Sequence, residues 1–343
     1  MAKPRVVVTD HVYPSIDAER EIFEPLGFDF RVYQCRGEDE VVKVCREADA
    51  VLTTFAPITP RAIQSMEKAK IIVRHGAGYD NIDVSAASEK GIMVANVPDF
   101  GRSEVADHAL ALMLSLLRRI PQYDRLVKAG GWSSWARHRP LPPLYRLTLG
   151  IVGFGRIGRQ IAYKAKKGFD MKVIAYDPYV AEEEFRRLGA APVGLDRLLE
   201  ISDIVSLHTP LTHETRHLID REKLRLMKPS AILVNTSRGP VVDQAALIEA
   251  LKEGWIAGAA LDVLTSEPPD EDDPLLEMEN VILTPHVAWF SEESFTDLLQ
   301  KAAHEVVRAL RGEEPLHLVN KDELIKRGYL KISKNGSGRS DHK

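Results

Sequence analysis

The chain has 343 residues, of which 44% are hydrophobic and 28% charged, and its formal net charge is −4. This composition is typical of a globular protein long enough for two domains, and without a dense Lys/Arg stripe it argues against direct binding to nucleic acid or to an anionic membrane. The apolar runs are too short for a signal peptide or a membrane span, and the two cysteines lack metal-ligand spacing. We therefore expect a cytoplasmic protein without a metal site.

Short apolar segments rich in β-branched residues alternate with helix-like segments along the whole chain. In chain order they include RVVVTD, ADAVLTTF, AKIIVRHG, GIMVANV, TLGIVGFG, KVIAYD, DIVSLHTP, AILVNTS, AGAALDV and NVILTPH. Continuous apolar runs separated by helical lengths are typical of parallel strands that are buried on both faces of a sheet. The pattern predicts two doubly wound parallel-sheet α/β domains. After a helix expected from Glu292 to about Leu310, the Ser- and Gly-rich residues 331–343 are predicted to form a flexible tail.

A long helix is predicted after Pro98, with Ser103 as its N-cap. From Ala106 to Leu117 this helix is apolar on nearly every side, so it is buried either between layers of the domain or in a subunit interface. The sequence is compatible with both locations of the helix. The Gly-, Pro- and Trp-rich segment that follows is expected to be an ordered surface loop, and we predict a homodimer built on the helix and this loop.

A dinucleotide site is predicted in the middle of the chain. Gly153, Gly155 and Gly158 have the spacing G-x-G-x-x-G directly after one strand, and a second strand ends in Asp177. This order of strand, turn, helix, strand and acid is the full context of a dinucleotide fingerprint. Asp177 is expected to bind ribose hydroxyls and to repel the extra phosphate of NADP, which predicts NAD as the cofactor; a residue that only caps a loop is the alternative.

Three charged residues follow the ends of three later strands, namely Arg238, Glu267 and His286. Ligands of doubly wound sheets bind at the carboxyl ends of the strands, so these side chains are expected to converge. Hydride transfer between NAD and a 2-hydroxy acid needs an acid/base, a partner that orients it and a cation for the substrate. Histidine, glutamate and arginine meet these needs in that order, although each residue alone is more typical of a surface charge or a packed histidine.

The segments GAGYDNID, LGIVGFGRIG, VNTSRGPVVD, ALDVLTSEP and TPH together resemble the D-isomer-specific 2-hydroxyacid dehydrogenases, from about Val6 to Asn320. The resemblance implies that His286 donates and accepts the proton, that Glu267 is its partner and that Arg238 anchors the substrate. It also implies a set of residues at the cofactor and the substrate. For the cofactor these are Arg156, Ile157, Thr209, Pro210, Thr236, Ser237 and Asp262, with Arg238 and His286 beside them; for the substrate carboxylate they are the amides of Ala77, Gly78 and Tyr79.

The resemblance further implies a domain organisation of the Rossmann and flavodoxin-like type. A discontinuous substrate-binding domain would comprise residues 1–101 and 288–330, and the NAD-binding domain would comprise residues 102–287. The crevice between the two domains would close over the substrate and exclude water.

Two functions remain open from the sequence. The segments TPHVAWFSEES and SEVADH are most similar to the C-terminal-binding-protein subgroup of NAD-binding corepressors. In that subgroup an aromatic residue follows the histidine of the first segment, and a glutamate occupies the position of Glu104 in the second. The first function is an NAD-dependent D-2-hydroxyacid dehydrogenase, and the second is an NAD(H)-sensing, corepressor-like binding protein. Trp289 is predicted to wall the substrate pocket, which would favour 2-keto acids with apolar or thioether side chains over glyoxylate and phosphorylated substrates; a packing role is the alternative.

Overall fold

The computed structural model describes residues 3–133 and 141–331. The chain divides into two compact units, the first formed by Met1–Phe100 with Glu292–Lys343 and the second by Gly101–Ser291. Nearly all of the predicted tail lies outside the described residues, and so does the middle of the predicted surface loop, at 134–140.

The first unit is built around a five-stranded parallel sheet with the strand order β2-β1-β3-β4-β5. Every residue of β3 and β4 is buried, as the continuous apolar runs of the sequence predict. Thr59 and Asp83 cap two of the helices by accepting a backbone amide with their side chains. The elements are β1 (Arg5–Val8), α1 (Asp17–Phe23), β2 (Asp29–Val32), α2 (Glu38–Cys45), β3 (Ala50–Thr53), α3 (Pro60–Ser65), β4 (Ile71–Arg74), α4 (Val84–Glu89), β5 (Met93–Ala95), α12 (Glu292–Leu310) and α13 (Lys321–Lys326).

Asn320 joins the C-terminal segment to the N-terminal sheet of this unit. Its side chain is 3% exposed, and its Oδ1 accepts the Val94 amide at 2.9 Å. Its Nδ2 donates to the Ile92 carbonyl at 2.9 Å and to Ser88 Oγ at 3.0 Å. A buried amide with all these partners satisfied fixes α13 beside β5 and α4.

The second unit contains a seven-stranded parallel sheet with the strand order β12-β11-β10-β9-β6-β7-β8. Both sheets are parallel and carry helices in their connections, so the predicted fold class is confirmed. Among the described residues, no helix combines the length and the apolar character that a membrane crossing requires. The elements are α5 (Arg102–Leu117), α6 (Ile120–Lys128), β6 (Thr148–Val152), α7 (Arg156–Phe169), β7 (Lys172–Tyr176), α8 (Glu182–Arg187), β8 (Ala191–Pro192), α9 (Leu195–Ile201), β9 (Ile204–Leu207), α10 (Arg221–Leu226), β10 (Ile232–Asn235), α11 (Gln244–Lys252), β11 (Gly258–Leu261) and β12 (Val281–Leu283).

Helix α5 packs its apolar residues on α7, β10 and β11. The prediction of Ser103 as its N-cap is wrong, because Gly101 in a left-handed conformation (φ 57°) turns the chain into the helix two residues earlier. The hydroxyl of Ser103 instead accepts a hydrogen bond from Lys164 Nζ at 2.9 Å. Much of the apolar surface of α5 is therefore buried inside one chain.

Helix α6 differs from α5 because none of its residues is buried. Its apolar side chains recur at the helical period along one side, where Ile120 is 56% exposed and Val127 is 46% exposed. An amphipathic helix whose apolar side is only partly covered by the described chain is typical of a surface that packs against another molecule.

Candidate active site

The glycine-rich turn between β6 and α7 can be built only with glycine at two of its positions. Gly153 has φ 93°, and a Cβ on it would lie 2.7 Å from the backbone carbonyl of His208. A Cβ on Gly158 would lie 2.2 Å from the carbonyl oxygen of Gly153, so the first turn of α7 packs directly on the loop. Gly155, the N-cap of α7, has no atom within 4 Å of its Cβ position. The helix N-terminus is thus open for an anionic group.

Asp177 lies at the end of β7, beside this turn. Its Oδ2 accepts the Phe154 amide at 2.8 Å, and its Oδ1 accepts the Tyr179 amide at 2.9 Å. Asp177 therefore caps the loop, which was the alternative to a cofactor-binding role. Each carboxylate oxygen nevertheless keeps a lone pair that can accept a ribose hydroxyl. Both functions are compatible with the same geometry.

Several polar atoms at the ends of β9 and β10 are buried without a hydrogen-bond partner among the described residues. They are His208 Nδ1, Thr209 Oγ1 and Thr236 Oγ1. Burial lowers the pKa of His208 to about 3, so its imidazole is neutral, and its Nε2 lies 2.7 Å from Ser206 Oγ. Buried polar atoms are normally paired, so this group fits a ligand that supplies polar partners. Together with the open N-terminus of α7, these residues fit a bound dinucleotide.

The other predicted cofactor residues lie on the same loops. Arg156 and Ile157 begin α7 directly after the glycine-rich turn, and Pro210 follows Thr209 after β9. Ser237 lies in the loop after β10, where its amide and hydroxyl both donate to Asn235 Oδ1, at 3.0 and 2.7 Å.

His286 and Glu267 are in direct contact. His286 Nδ1 lies 2.6 Å from Glu267 Oε2, and Glu267 Oε1 accepts the Leu264 amide at 3.0 Å. Burial by itself would raise the pKa of Glu267, but the hydrogen bond and charge of His286, the Leu264 amide and the charge of Arg238 together lower it below its ordinary value. An ionised carboxylate makes Nδ1 a donor, which fixes the tautomer and the orientation of the imidazole.

Arg238 lies in a loop that a buried asparagine shapes. The side chain of Asn235, which is 1% exposed, donates to the Arg238 carbonyl at 2.9 Å. A Cβ on Gly239 would lie 2.0 Å from the backbone carbonyl of Leu264, so the loop of Arg238 passes directly beside the loop of Glu267. Asn235 lies inside the motif that carries Arg238, but it was not predicted from the sequence as a site residue.

The loop that carries His286 is held by Asp262. The backbone of His286 is left-handed (φ 55°), and its amide donates to the Asp262 carbonyl at 2.8 Å. The carboxylate of Asp262, which is 2% exposed, accepts Thr284 Oγ1 at 2.6 Å and the amides of Val287 and Ala288 at 3.0 and 2.9 Å. The resemblance implied a cofactor contact for Asp262; in the structure its carboxylate oxygens are occupied by the loop.

Trp289 is half-buried in the same loop. Its Nε1 donates to the His286 carbonyl at 3.0 Å, and its ring meets that of Phe290 edge-on at 5.4 Å. The indole N–H is thus used within the loop.

The predicted carboxylate-binding residues Ala77, Gly78 and Tyr79 lie in the first unit, in the loop after β4. Within the described ranges, none of their three amides donates a hydrogen bond. Asn96 Nδ2 donates to the Ala77 carbonyl at 2.6 Å and so fixes the loop. Consecutive unpaired amides are a common binding site for anions.

A glycine-rich dinucleotide turn, followed in the same unit by a paired histidine and glutamate beside an arginine, defines a nicotinamide-dependent oxidoreductase. A family model described as "D-isomer specific 2-hydroxyacid dehydrogenase, NAD binding domain" matches residues 110–288. The chain belongs to this family. The predicted family, the NAD cofactor and the oxidoreductase class are confirmed.

Relatives and solved structures agree with this assignment. The chain is 47% identical over 289 residues to a glyoxylate reductase of Korarchaeum cryptofilum, which covers 83% of this chain and 86% of that protein. It is 41% identical over 318 residues to a D-3-phosphoglycerate dehydrogenase of Methanocaldococcus jannaschii, which covers 92% of this chain and 59% of that protein. The D-lactate dehydrogenase of Aquifex aeolicus, crystallised with NAD and lactic acid, superposes with a TM-score of 0.82 at 30% identity, over 90% of this chain and 96% of that one. These relatives are named as enzymes, and they do not favour the corepressor-like alternative.

Proposed function

We propose that this protein is a D-2-hydroxyacid dehydrogenase that reversibly reduces a 2-keto acid with NADH. The observation that carries the proposal is the contact of 2.6 Å between His286 and Glu267, in the same unit as the dinucleotide turn and within the electrostatic reach of Arg238. An acid/base, its partner and a cation are together the groups that the reaction needs.

In this proposal the bound cofactor supplies a hydride to the keto carbon. His286 Nε2 donates a proton to the carbonyl oxygen during reduction and takes it back from the hydroxyl during oxidation. Glu267 keeps Nδ1 protonated and stabilises the imidazolium before the proton leaves. The planar guanidinium of Arg238 holds the substrate through two parallel hydrogen bonds to its carboxylate or its carbonyl oxygen.

The cofactor would be held by residues that share the carboxyl ends of β6, β7, β9 and β10. The glycine-rich turn and the first residues of α7 would bind the pyrophosphate, and Asp177 would bind the adenosine ribose. The nicotinamide half would meet Thr209, Pro210, Thr236 and Ser237, whereas Asp262 would act through the loop that its carboxylate holds.

We propose that the unpaired amides of Ala77, Gly78 and Tyr79 bind the substrate carboxylate. Replacing Ala77 with proline removes one of these donors, and we expect it to raise KM for the keto acid while the Kd of NADH is unchanged.

Trp289 supports a proposal for the substrate class. Its half-buried indole lies three residues after His286, and burying several methylenes on an indole contributes about 1–3 kcal/mol to transition-state binding. We propose a 2-keto acid with an apolar or thioether side chain. Glyoxylate is a second candidate, because the relative of 47% identity is named a glyoxylate reductase.

The test is NADH oxidation with a panel of 2-keto acids, namely glyoxylate, pyruvate, 4-methyl-2-oxopentanoate, 4-methylthio-2-oxobutyrate and phosphohydroxypyruvate. We expect the highest kcat/KM for a branched or thioether substrate and a selective loss for that substrate in Trp289→Ala, with Trp255→Ala as the control for the loss of a tryptophan elsewhere. A higher kcat/KM for glyoxylate would reject the substrate class and keep the reaction. No oxidation of NADH with any substrate would reject the proposed function.

We also propose a homodimer and a cytoplasmic location. The partly covered apolar side of α6 supports the dimer, since Ile120 and Val127 would otherwise remain in water. Cys35 and Cys45 are both free and buried, which is consistent with a reducing compartment.

A further inference from the structure

Two polar residues of helix α5, Glu104 and His108, contact the loop of His286. Glu104 and His108 are four residues apart, so they lie on one side of the helix, one turn from each other. Glu104 Oε1 accepts Ser291 Oγ at 3.0 Å, and His108 Nε2 lies 3.0 Å from Thr284 Oγ1. Residues 284–291, here called the catalytic loop, are thus attached to α5 at their first and last positions.

The contact of His108 continues to Asp262 through Thr284. The Thr284 hydroxyl has one proton, and it donates that proton to Asp262 Oδ1 at 2.6 Å. The same hydroxyl can therefore only accept from His108, which requires the proton of the imidazole on Nε2. His108 Nε2 also lies 3.5 Å from Asp262 Oδ1. The Asp262 carboxylate also accepts the amides of Val287 and Ala288, the two residues after His286. A series of hydrogen bonds therefore connects His108, through Thr284 and Asp262, to these two residues.

His286 needs such support because its backbone conformation is unfavourable. A non-glycine residue at φ 55° persists only where surrounding contacts over-determine it. Asp262 supplies these contacts directly, and α5 fixes the loop before and after them. The amide of His286 and its Nδ1 are both already engaged, so a shift of the loop would move Nε2 as well.

We propose that Glu104 and His108 are positioning residues that hold the catalytic loop, and with it Nε2 of His286, in the reactive arrangement. The inference rests on the proposed function, since it assigns the two residues a role through His286. Neither residue touches the reacting atoms in this proposal. An apolar helix that packs on the sheet thereby also determines the geometry of the acid/base group.

The first experiment compares substitutions that remove each hydrogen bond with substitutions that keep it. His108→Phe and Thr284→Val remove the contact, whereas His108→Gln and Thr284→Ser keep a donor and a hydroxyl in place. We expect kcat to fall on the order of 10- to 100-fold in the first pair, the range for a group displaced by about 1 Å. The second pair should recover most of the activity, and the Kd of NADH should be unchanged in all four.

Glu104 is tested in the same way, with Glu104→Ala against Glu104→Gln, whose amide oxygen can still accept from Ser291. Asp107→Asn is the matched control, because Asp107 lies on the exposed side of the same helix and pairs with Lys164. We expect the control to match the wild type. A double-mutant cycle of His108→Phe with Thr284→Val should be non-additive, since both remove one chain of contacts.

An activity-independent measurement separates this inference from the proposed function. In a background with Trp132, Trp135 and Trp255 replaced by phenylalanine, the emission of Trp289 reports on the catalytic loop. We expect a red shift and faster acrylamide quenching in His108→Phe, reversed in His108→Gln. If the wild type reduces no 2-keto acid and this shift is still seen, the proposed function fails and the positioning of the loop stands. Unchanged emission and unchanged kcat in His108→Phe would overturn the inference, and so would equal losses in His108→Phe and His108→Gln that follow thermal stability alone.

Discussion

At the scale of single residues, the proposed acid/base role of His286 can be tested separately from cofactor binding. Asparagine tolerates left-handed backbone angles, so His286→Asn removes the imidazole without a new backbone conflict. We expect kcat to fall on the order of 10²–10⁴-fold, as for a lost general acid/base, with the Kd of NADH nearly unchanged by fluorescence titration. An equal loss of binding and turnover would show that the histidine is structural.

Glu267 provides a prediction about pH. Its pKa in the folded protein is below the ordinary value of 4.5, so its ionised form favours folding above that pH, and this contribution is lost as the pH falls through the lowered pKa. At neutral pH the carboxylate is therefore charged beside His286. In Glu267→Gln the free energy of unfolding should fall less on acidification than in the wild type, because no carboxylate is left to be protonated; urea denaturation across the acidic range measures this. An unchanged acid dependence would contradict the pairing.

Asp177 determines the choice between cofactors in the proposed site. Its carboxylate is fixed by the amides of Phe154 and Tyr179, so it cannot turn away from a second negative charge. We expect the wild type to bind NADH far more tightly than NADPH, since like charges brought together cost several kcal/mol. Asp177→Ala should narrow the gap, and Asp196→Ala, a surface control in the same unit, should not. Comparable affinities of the wild type for both cofactors would reject this role.

At the scale of elements, strands and long helices were the most predictable features. β10 and β11 are buried at every residue, so their apolar runs carry a strong signal, and α12 spans the predicted Glu292–Leu310. The start of α5 was missed, because Ser103 has the right chemistry for a cap while the backbone turn at Gly101 comes first.

In the candidate site, the residues of the motifs could be predicted from the sequence, but contacts between distant residues could not. A motif with a fixed spacing places Asp177 and the glycines, and strand ends place Glu267 near His286. The contacts of Asn235 are local, with Ser237 and Arg238, but those of His108 depend on which loops meet in three dimensions, because His108 lies 176 residues from its partner Thr284. Periodicity along the chain carries no information about such pairs.

Asn320 provides a prediction for the C-terminal elements. Its side chain satisfies the Val94 amide and the Ile92 carbonyl inside the first unit. We expect Asn320→Ala to lower the free energy of unfolding by about 1–3 kcal/mol, because it leaves buried backbone groups unpaired. Urea denaturation measures the loss, with Lys326→Ala on the exposed surface of α13 as the control. Equal stability of the two variants would show that α13 contributes little.

At the scale of the whole molecule, we expect a dimer at micromolar concentration by light scattering. Ile120→Glu or Val127→Lys places a charge on the partly covered apolar side of α6 and should give monomers, because a desolvated charge without a partner is costly at an interface. Lys128→Glu, next to this side of the same helix, is the control for a change of charge. A wild-type monomer would end the proposal.

The left-handed backbone at His286 also has a consequence for the stability of the folded state. In most positions alanine is more stable than glycine by about 0.5–1 kcal/mol, because glycine loses more conformational entropy on folding. At φ 55° the order should be reversed, since the left-handed region costs an L-residue roughly 1–2 kcal/mol that glycine does not pay. We therefore expect His286→Gly to melt at a higher temperature than His286→Ala, although both lack the imidazole and neither turns over substrate. The fold thus tolerates a conformational penalty at the residue that carries the proposed acid/base group.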